Sequence, residues 1–471
     1  MSPAPRSARV LLRSFVPLVV AALLPTRALC AANQFVIEIA DPSTDYVGAY
    51  TSLALDAQGN PWISYYDESH GNLKLAHKAG GTWTRETADG SADDVGLFTS
   101  LALDANGMPH VSYYDNTNSR LLHAWKASGT WYREMVDDAS ADVGWYTSIA
   151  LATDGNPCIA YYDRANGDLK FARKSGGTWS TEVADGSGDD AGLYPSLALD
   201  AQGHPHVSYY DQTTGDLMYA VRSGGTWTVE VADPSLDDTG VYTSLALDAL
   251  GNPHVSCYDV TNGDLLYASR TAGTWAVETA DASGDDVGYD TSIALDALGN
   301  PHVSYHDATH GNLLYARKSA GTWDVLVVDD SYDNTGWYTS IVFDATAHPH
   351  ISYHDVTTAN LMYAVGPQEP DAIVGVPAGQ PPLGSVALVV YPTPAMAGIR
   401  IRAGAAMAGR AVDIFDVRGR RITSLQLDAA GCAQWDGRDD GGVPAAAGVH
   451  FARLAGLDGV TAPGRRFVIV R

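Results

Sequence analysis

The chain has 471 residues and a formal net charge of −26, and that charge is unevenly spread. The first thirty residues carry four arginines and no acid, and Ser385 to Arg471 carries eleven arginines against seven aspartates with no lysine or glutamate, so the stretch between holds about −34. So acidic a body repels phosphate backbones, which argues against a nucleic-acid partner and favours cations or polar ligands held by carboxylate acceptors.

At the N-terminus, Arg6, Arg9 and Arg13 precede the apolar run Phe15 to Leu24, and small residues follow at Ala28, Cys30, Ala31 and Ala32. The run is too short to span a bilayer, and the pattern predicts a signal peptide over residues 1–32, removed on export. No later stretch is long and apolar enough for a transmembrane helix. The expectation is a secreted protein, or one attached to the outer cell surface. Cys158, Cys257 and Cys432 remain after cleavage, an odd number without regular spacing, so no disulfide framework is expected.

The body is a repeat. The phrase Tyr50-Thr51-Ser52-Leu53-Ala54-Leu55-Asp56 recurs, and the glycine two residues before its tyrosine falls at Gly48, Gly96, Gly144, Gly192, Gly240, Gly288 and Gly336, always 48 residues apart. Each unit holds four strand signals: Thr51 to Asp56, Ile63 to Tyr66, Leu73 to Ala76 and Thr82 to Thr87, divided by Gly/Asn/Pro turns. Four short strands per unit, repeated seven times, describe an all-β, seven-bladed β-propeller. The seventh unit stops after its third strand at Val365. The spare strand Phe35 to Asp41 stands 48 residues before Trp83 to Asp89, and so is expected to close blade seven. The propeller domain is assigned to residues 33–365.

Residues 366–384 contain five prolines and read as an extended linker. Residues 385–471 form a second domain, with strands expected at Val386 to Val390, Ile399 to Arg402, Ala411 to Asp416 and Phe467 to Val470. They predict a small C-terminal β-sandwich. Tyr391-Pro392-Thr393-Pro394, Val412 to Arg420, Trp435-Asp436-Gly437-Arg438-Asp439, Ala447 to Phe451 and Arg466 to Arg471 resemble FlgD-like immunoglobulin domains and the C-terminal sorting domains of type IX-like secretion. That resemblance, over about Tyr391 to Arg471, implies a bacterial protein handled by secretion machinery through this domain.

Most recurring residues are expected to build blades. Trp83, Trp131, Trp179, Trp227, Trp275 and Trp323 begin the outer strand, with Phe35 in the seventh place, and suit packing between blades. The Gly-x-Thr-Trp around them resembles the Asp-box turn of sialidase-like propellers, which implies a structural role remote from catalysis. His110, His206, His254, His302 and His350 share one column and are expected to be buried against the serine two residues on.

The ligand-binding candidates lie at one end of the blades. Asp67, Asp115, Asp163, Asp211, Asp259, Asp307 and Asp355 close the second strand; Tyr50, Phe98, Tyr146, Tyr194, Tyr242, Asp290 and Tyr338 open the first. Aromatic rings beside carboxylates suit sugars, because ring faces take C–H groups and carboxylates accept hydroxyl hydrogen bonds. The same acids could hold Ca²⁺, although the spacing is not that of a calcium loop, and turn capping by the aspartates is the alternative reading. No cofactor is expected otherwise. No nucleophile–base pair stands out, so no catalytic residue is assigned. The departures from the repeat (Asp290, Ala152, Arg120, Cys257) fall in different blades. The sequence therefore favours a multivalent recognition module for glycans, similar in plan to bacterial propeller lectins. A scaffold for a surface protein, and a sialidase-like glycoside hydrolase or polysaccharide lyase, are the alternatives.

Overall fold

The computed structural model describes residues 35–369 except 140, 320, 332 and 333, and in the C-terminal stretch the segments 389–392, 399–402, 411–416, 420–427, 432–435, 438–443, 448–454 and 465–469. The expected signal peptide and nearly all of the linker lie outside the described residues. Among the described residues no helix is long and apolar enough to cross a membrane.

Seven four-stranded antiparallel sheets follow one another. Blade one comprises Val47–Leu55, Pro61–Asp67, Asn72–Ala79 and Thr82–Asp89, and the same pattern repeats through blade six, which ends at Asp329. Blade seven takes Trp337–Phe343, Pro349–Asp355 and Asn360–Val365 from the end of the array, and Val36–Asp41 from its beginning. The first strand pairs antiparallel with the last, Val36 opposite Val365 and Ile39 opposite Met362, so the ring closes as the sequence anticipates. Closure satisfies an edge that would otherwise be open to other chains.

The recurring glycine is explained by a close approach between blades. Gly96 has φ of +104°, and a Cβ there would lie 2.8 Å from the Leu73 Cα of the preceding blade; Gly192 meets Leu169 at 2.7 Å in the same way. The invariant leucine and the invariant glycine are thus two sides of one contact.

The innermost strands have no sheet neighbour on the axis side, and the serine of the Tyr-Thr-Ser phrase answers that need. Ser52 Oγ accepts the Leu101 amide, Ser100 that of Ile149, Ser148 that of Leu197, Ser196 that of Leu245, Ser244 that of Ile293, Ser292 that of Ile341 and Ser340 that of Leu53, at 2.9–3.1 Å. Seven such bonds make an unbroken ring. The threonine beside each serine bonds the second-strand serine of the preceding blade, as in Thr243 to Ser208 at 2.6 Å. The junction of blades three and four is the exception: Pro195 replaces the threonine and Ala160 the serine, so neither leaves a hydroxyl unpaired. Ser196→Ala is expected to strand the Leu245 amide and cost about 1–3 kcal/mol. A urea midpoint that falls at unchanged slope would show it; an unchanged midpoint would deny the ring a stabilising role.

Farther from the axis, each blade grips the next. Tyr65, Tyr113, Tyr161, Tyr209, Tyr305 and Tyr353 donate their buried hydroxyls to Asp41, Asp89, Asp137, Asp185, Asp281 and Asp329 of the preceding blade at 2.6–2.8 Å. In blade five Cys257 takes the tyrosine's place, and Asp233 accepts the Thr239 hydroxyl instead, at 3.1 Å. The tryptophans pack between blades as expected, Trp83 edge-on to Tyr363 and Trp227 to Phe171. Six blade junctions also carry an ion pair: Lys78–Glu38, Lys126–Glu86, Lys174–Glu134, Arg222–Glu182, Arg270–Glu230 and Lys318–Glu278. The junction of blades six and seven has Leu326 and Phe35 against an apolar cluster. There Glu369, beyond the last strand, turns back to accept from Tyr315 and Arg317, each at 2.7 Å.

The histidine column needs correction. His206, His254, His302 and His350 bond the hydroxyls of Tyr219, Tyr267, Tyr315 and Tyr363, and His110 bonds His123; none uses the serine two residues on. Residues two apart on a strand share a face but stand too far apart, whereas the neighbouring strand brings a diagonal partner within reach. Those serines are spent on the threonines of the next blade. Cys158 and Cys257 are buried and free.

In the C-terminal stretch, Val389–Pro392, Ile399–Arg402 and Cys432–Trp435 form one antiparallel sheet, and Arg421–Gln426, Ala411–Asp416, Gly448–Leu454 and Arg465–Ile469 a second.

Candidate functional site

The two predicted rings of residues separate in the structure. Tyr50, Phe98, Tyr146, Tyr194, Tyr242, Asp290 and Tyr338 come together around the axis, where with the Thr-Ser layer beneath them they line an open depression of about 220 Å³. All seven have positive φ, between 48° and 56°. A left-handed conformation is uncommon for any non-glycine residue and costs about 1–3 kcal/mol. It coincides with a register shift in every inner strand, for example between Ala49 and Ser52. Such a bulge re-aims a side chain, and here it sets the same seven positions at the axis.

The aromatic members touch in sequence. Ring centroids are 4.7 Å apart for Tyr50 and Phe98, 4.5 Å for Phe98 and Tyr146, 4.3 Å for Tyr146 and Tyr194, 4.8 Å for Tyr194 and Tyr242, and 4.6 Å for Tyr338 and Tyr50. Asp290 fills the gap between Tyr242 and Tyr338. Burial pushes the hydroxyls of Tyr50 and Tyr194 up to about 12 and those of Tyr146, Tyr242 and Tyr338 higher, so the phenols stay neutral donors and acceptors. Burial also raises Asp290 to about 6, against the opposing hydrogen bond from the Tyr338 amide at 2.8 Å.

The aspartates at the end of the second strand do not line the depression. Asp67, Asp115, Asp163, Asp211, Asp259, Asp307 and Asp355 are at most 3% exposed. Each accepts a backbone amide two or three residues on, from His70, Asn118, Asn166, Thr213, Asn262, Thr309 and Thr358 respectively, at 2.9–3.3 Å. Their oxygens cap the turn into the third strand. The acidic loops are occupied in the same way: Asp94, Asp142, Asp190, Asp238 and Asp286 accept from Tyr66, Tyr114, Tyr162, Tyr210 and Tyr258. Two groups have the composition of a cation site, Asp45–Asp67–His70 and Asp285–Asp307–His310, their ligand atoms within 4.8 Å of one another. In both, the histidine bonds the capping aspartate, at 3.1 and 3.0 Å, as Asn118 and Asn262 do in other blades. An imidazole also suits a transition ion better than Ca²⁺.

The residue just before each ring position forms a further column that was not among the predicted site residues. That column reads Ala49, Leu97, Trp145, Leu193, Val241, Tyr289 and Trp337. Its three aromatic members are partly exposed beside the ring. Tyr289 and Trp337 flank Asp290, with centroids 6.4 Å apart. Trp145 stands on the other side, with the Arg164 guanidinium 4.7 Å from its ring centroid. The signal was the variability itself: a column free to change in a repeat is one the blade does not need for packing.

These features define an all-β, seven-bladed propeller with one axial depression ringed by phenols and broken by a single carboxyl. No family model matches the chain, and no curated protein matches it. Solved structures do. A fungal alcohol oxidase in complex with copper aligns at 12% identity over 93% of this chain and 100% of its own, with a TM-score of 0.50. PorZ, an essential surface component of the type-IX secretion system of Porphyromonas gingivalis, aligns at 15% identity and a TM-score of 0.47. The match covers 90% of this chain but only 59% of PorZ. A polysaccharide lyase acting on ulvan aligns at 12% identity over 69% of this chain and 96% of its own, with a TM-score of 0.49. At these identities the likeness is one of fold.

Proposed function

We propose that the propeller is an exported recognition module that takes one polar ligand, the end of a glycan, in its axial depression. The observation that carries this reading is the axial ring, in which neutral phenols and one carboxyl surround an open space, with Tyr289 against Tyr242 and Trp337 against Tyr338 just outside it. Hydroxyl groups and a carboxyl match the donors and acceptors of a sugar, and aromatic faces match its C–H surfaces. Seven equivalent peripheral sites, the multivalent form of the idea, lack support, because the aspartates they would use are committed to turns. Export rests on the N-terminal arginines and apolar run, and surface attachment on the resemblance of residues 391–471 to sorting domains.

A glycan array probed with the mature chain, with calcium and with a chelator, tests the reading. Binding that weakens about tenfold in Trp337→Ala, the loss expected for about 1.4 kcal/mol of aromatic contact, would support the axial site. A blank array under both conditions would transfer the case to a protein-binding scaffold. Binding that is unchanged in Trp337→Ala would place the ligand elsewhere.

A further inference from the structure

The departures from sevenfold repetition divide into two kinds. Ala152 lacks the carboxylate that caps the first hairpin in other blades, and Asp154 supplies one by accepting the Asn156 amide at 3.0 Å. Cys257 is answered by Thr239, Pro195 by Ala160, and Arg120 bonds the capping Asp115 at 2.9 Å. Asp290 has no such answer. One of its oxygens accepts the Tyr338 amide, and among the described residues no lysine or arginine pairs with it. A carboxylate only partly exposed to water, with no counter-ion beside it, carries a desolvation cost, and a repeat that keeps a tyrosine or phenylalanine at the other six positions had a ready alternative.

We propose that Asp290 is the counter-ion for an ammonium group, and that the ligand of the axial depression is a glycan carrying an unacetylated amino sugar. This deepens the glycan reading above and rests on it. An ammonium group brings three donors and no acceptor. Asp290 takes one of them with its charge, the neighbouring phenol oxygens accept the others, and the encircling ring faces favour a cation electrostatically. The sugar ring then lies against Trp337 and Tyr289.

The same arrangement sets a pH dependence. Asp290, raised to about 6 by burial, is ionised at pH 7 and largely protonated at pH 5. The phenols around it stay neutral in that interval. The phenols of Tyr50, Tyr146, Tyr194, Tyr242 and Tyr338 are raised. His354 beside Tyr338 is lowered to about 4 by burial, and His306 beside Trp337 is lowered by burial too. Arg164, on the far side of the ring, stays paired with Asp142. Affinity should therefore weaken from pH 7 to pH 5 by less than about tenfold for an amino sugar, whose amine gains protons while Asp290 loses charge, and by the full factor of about ten for a trimethylammonium analogue that cannot titrate.

Calorimetry of the full mature chain with three tetrasaccharides tests this: a β-1,4-glucosamine oligomer, its N-acetylated form and the plain glucose oligomer. The expected result is a preference of at least tenfold for the glucosamine oligomer at pH 7. That preference should be lost in Asp290→Asn and in Asp290→Tyr, the second of which restores the repeat and so is expected to fold. Equal binding of all three sugars would overturn the ammonium proposal and leave glycan recognition standing. Binding of none would remove both for this class of glycan. A preference that survives in both variants would assign the attraction to the acidic body at large and overturn the role of Asp290.

Discussion

Deleting residues 35–41 is expected to leave a chain that no longer unfolds cooperatively and that self-associates. The strand supplies more than a ladder of backbone bonds to Val365 through Leu361. Asp41 accepts from the buried Tyr65 hydroxyl at 2.7 Å and pairs with Lys74 at 3.2 Å. Glu38 holds Lys78 and the Trp83 indole. The Ala40 carbonyl accepts from Arg85 at 2.8 Å. Removing one partner of a buried ion pair costs about 3–5 kcal/mol, and each lost hydrogen bond about 1 kcal/mol more. The sum is comparable to the 5–15 kcal/mol by which a domain is stable at all. Size-exclusion chromatography and denaturant unfolding of the deletion variant measure it directly. Restoration of the cooperative transition by a peptide of residues 33–43 would show that the open edge is the cause. An unchanged midpoint would mean that the ring does not depend on its closing strand.

The second large effect is expected from Asp137→Ala. Asp137 accepts from Tyr161 at 2.7 Å and from Lys170 at 2.5 Å, and that ammonium is itself only 9% exposed. Lys170 occupies a column that elsewhere is Leu or Met, apart from Lys74, so its charge is tolerated because Asp137 faces it. The variant should lose up to about 3–5 kcal/mol, since a buried lysine loses its hydrogen-bonded counter-charge and keeps only Asp163, at 3.7 Å. Asp233→Ala, at the junction where Cys257 and Leu266 of blade five stand in the columns of Tyr161 and Lys170, should lose only about 1–2 kcal/mol. Equal losses would refute the pairing argument. Burial alone would raise Asp137, but the bonds from Lys170, Tyr161 and the Ala139 amide hold it below the ordinary carboxylate value. Its contribution is therefore complete above the unfolded-state value and is lost as pH falls through the lower, folded one. The stability gap between wild type and Asp137→Ala should accordingly narrow in acid.

Much of this was legible because one period governs the chain. The 48-residue spacing dictates blade number, the missing fourth strand dictates closure, and both follow from Gly48, Val365 and Phe35 without any side-chain geometry. The axial ring was legible as a column, and Asp290 as its exception. What escaped were relations between columns. Pro195 with Ala160, and Cys257 with Thr239, are each visible in the sequence, but only a pairing across blades shows that one member excuses the other. The strand-end aspartates were legible only as a choice between ligand and turn cap: a carboxylate at a strand end looks the same in sequence whether its oxygens face ligand or the next turn. The histidines were assigned to the wrong neighbour because sequence distance stood in for the diagonal across two strands.

The closing strand has a mechanical corollary. Val36 lies opposite Val365 and Asp41 opposite Leu361, so the chain enters and leaves the ring at the same end of the seam. Tension applied between the segments that flank the propeller would peel the seam one backbone pair at a time, the weak direction for antiparallel strands, instead of loading all pairs together in shear. Ahead of the first pair stand the Gly366 amide on Pro349 and the Glu369 clasp on Tyr315 and Arg317. They anchor the outgoing chain to the second strand of blade seven and to blade six before force reaches the seam. Force drawn along the chain that leaves the propeller would cross these few bonds first, and they would set how much the ring withstands before it opens.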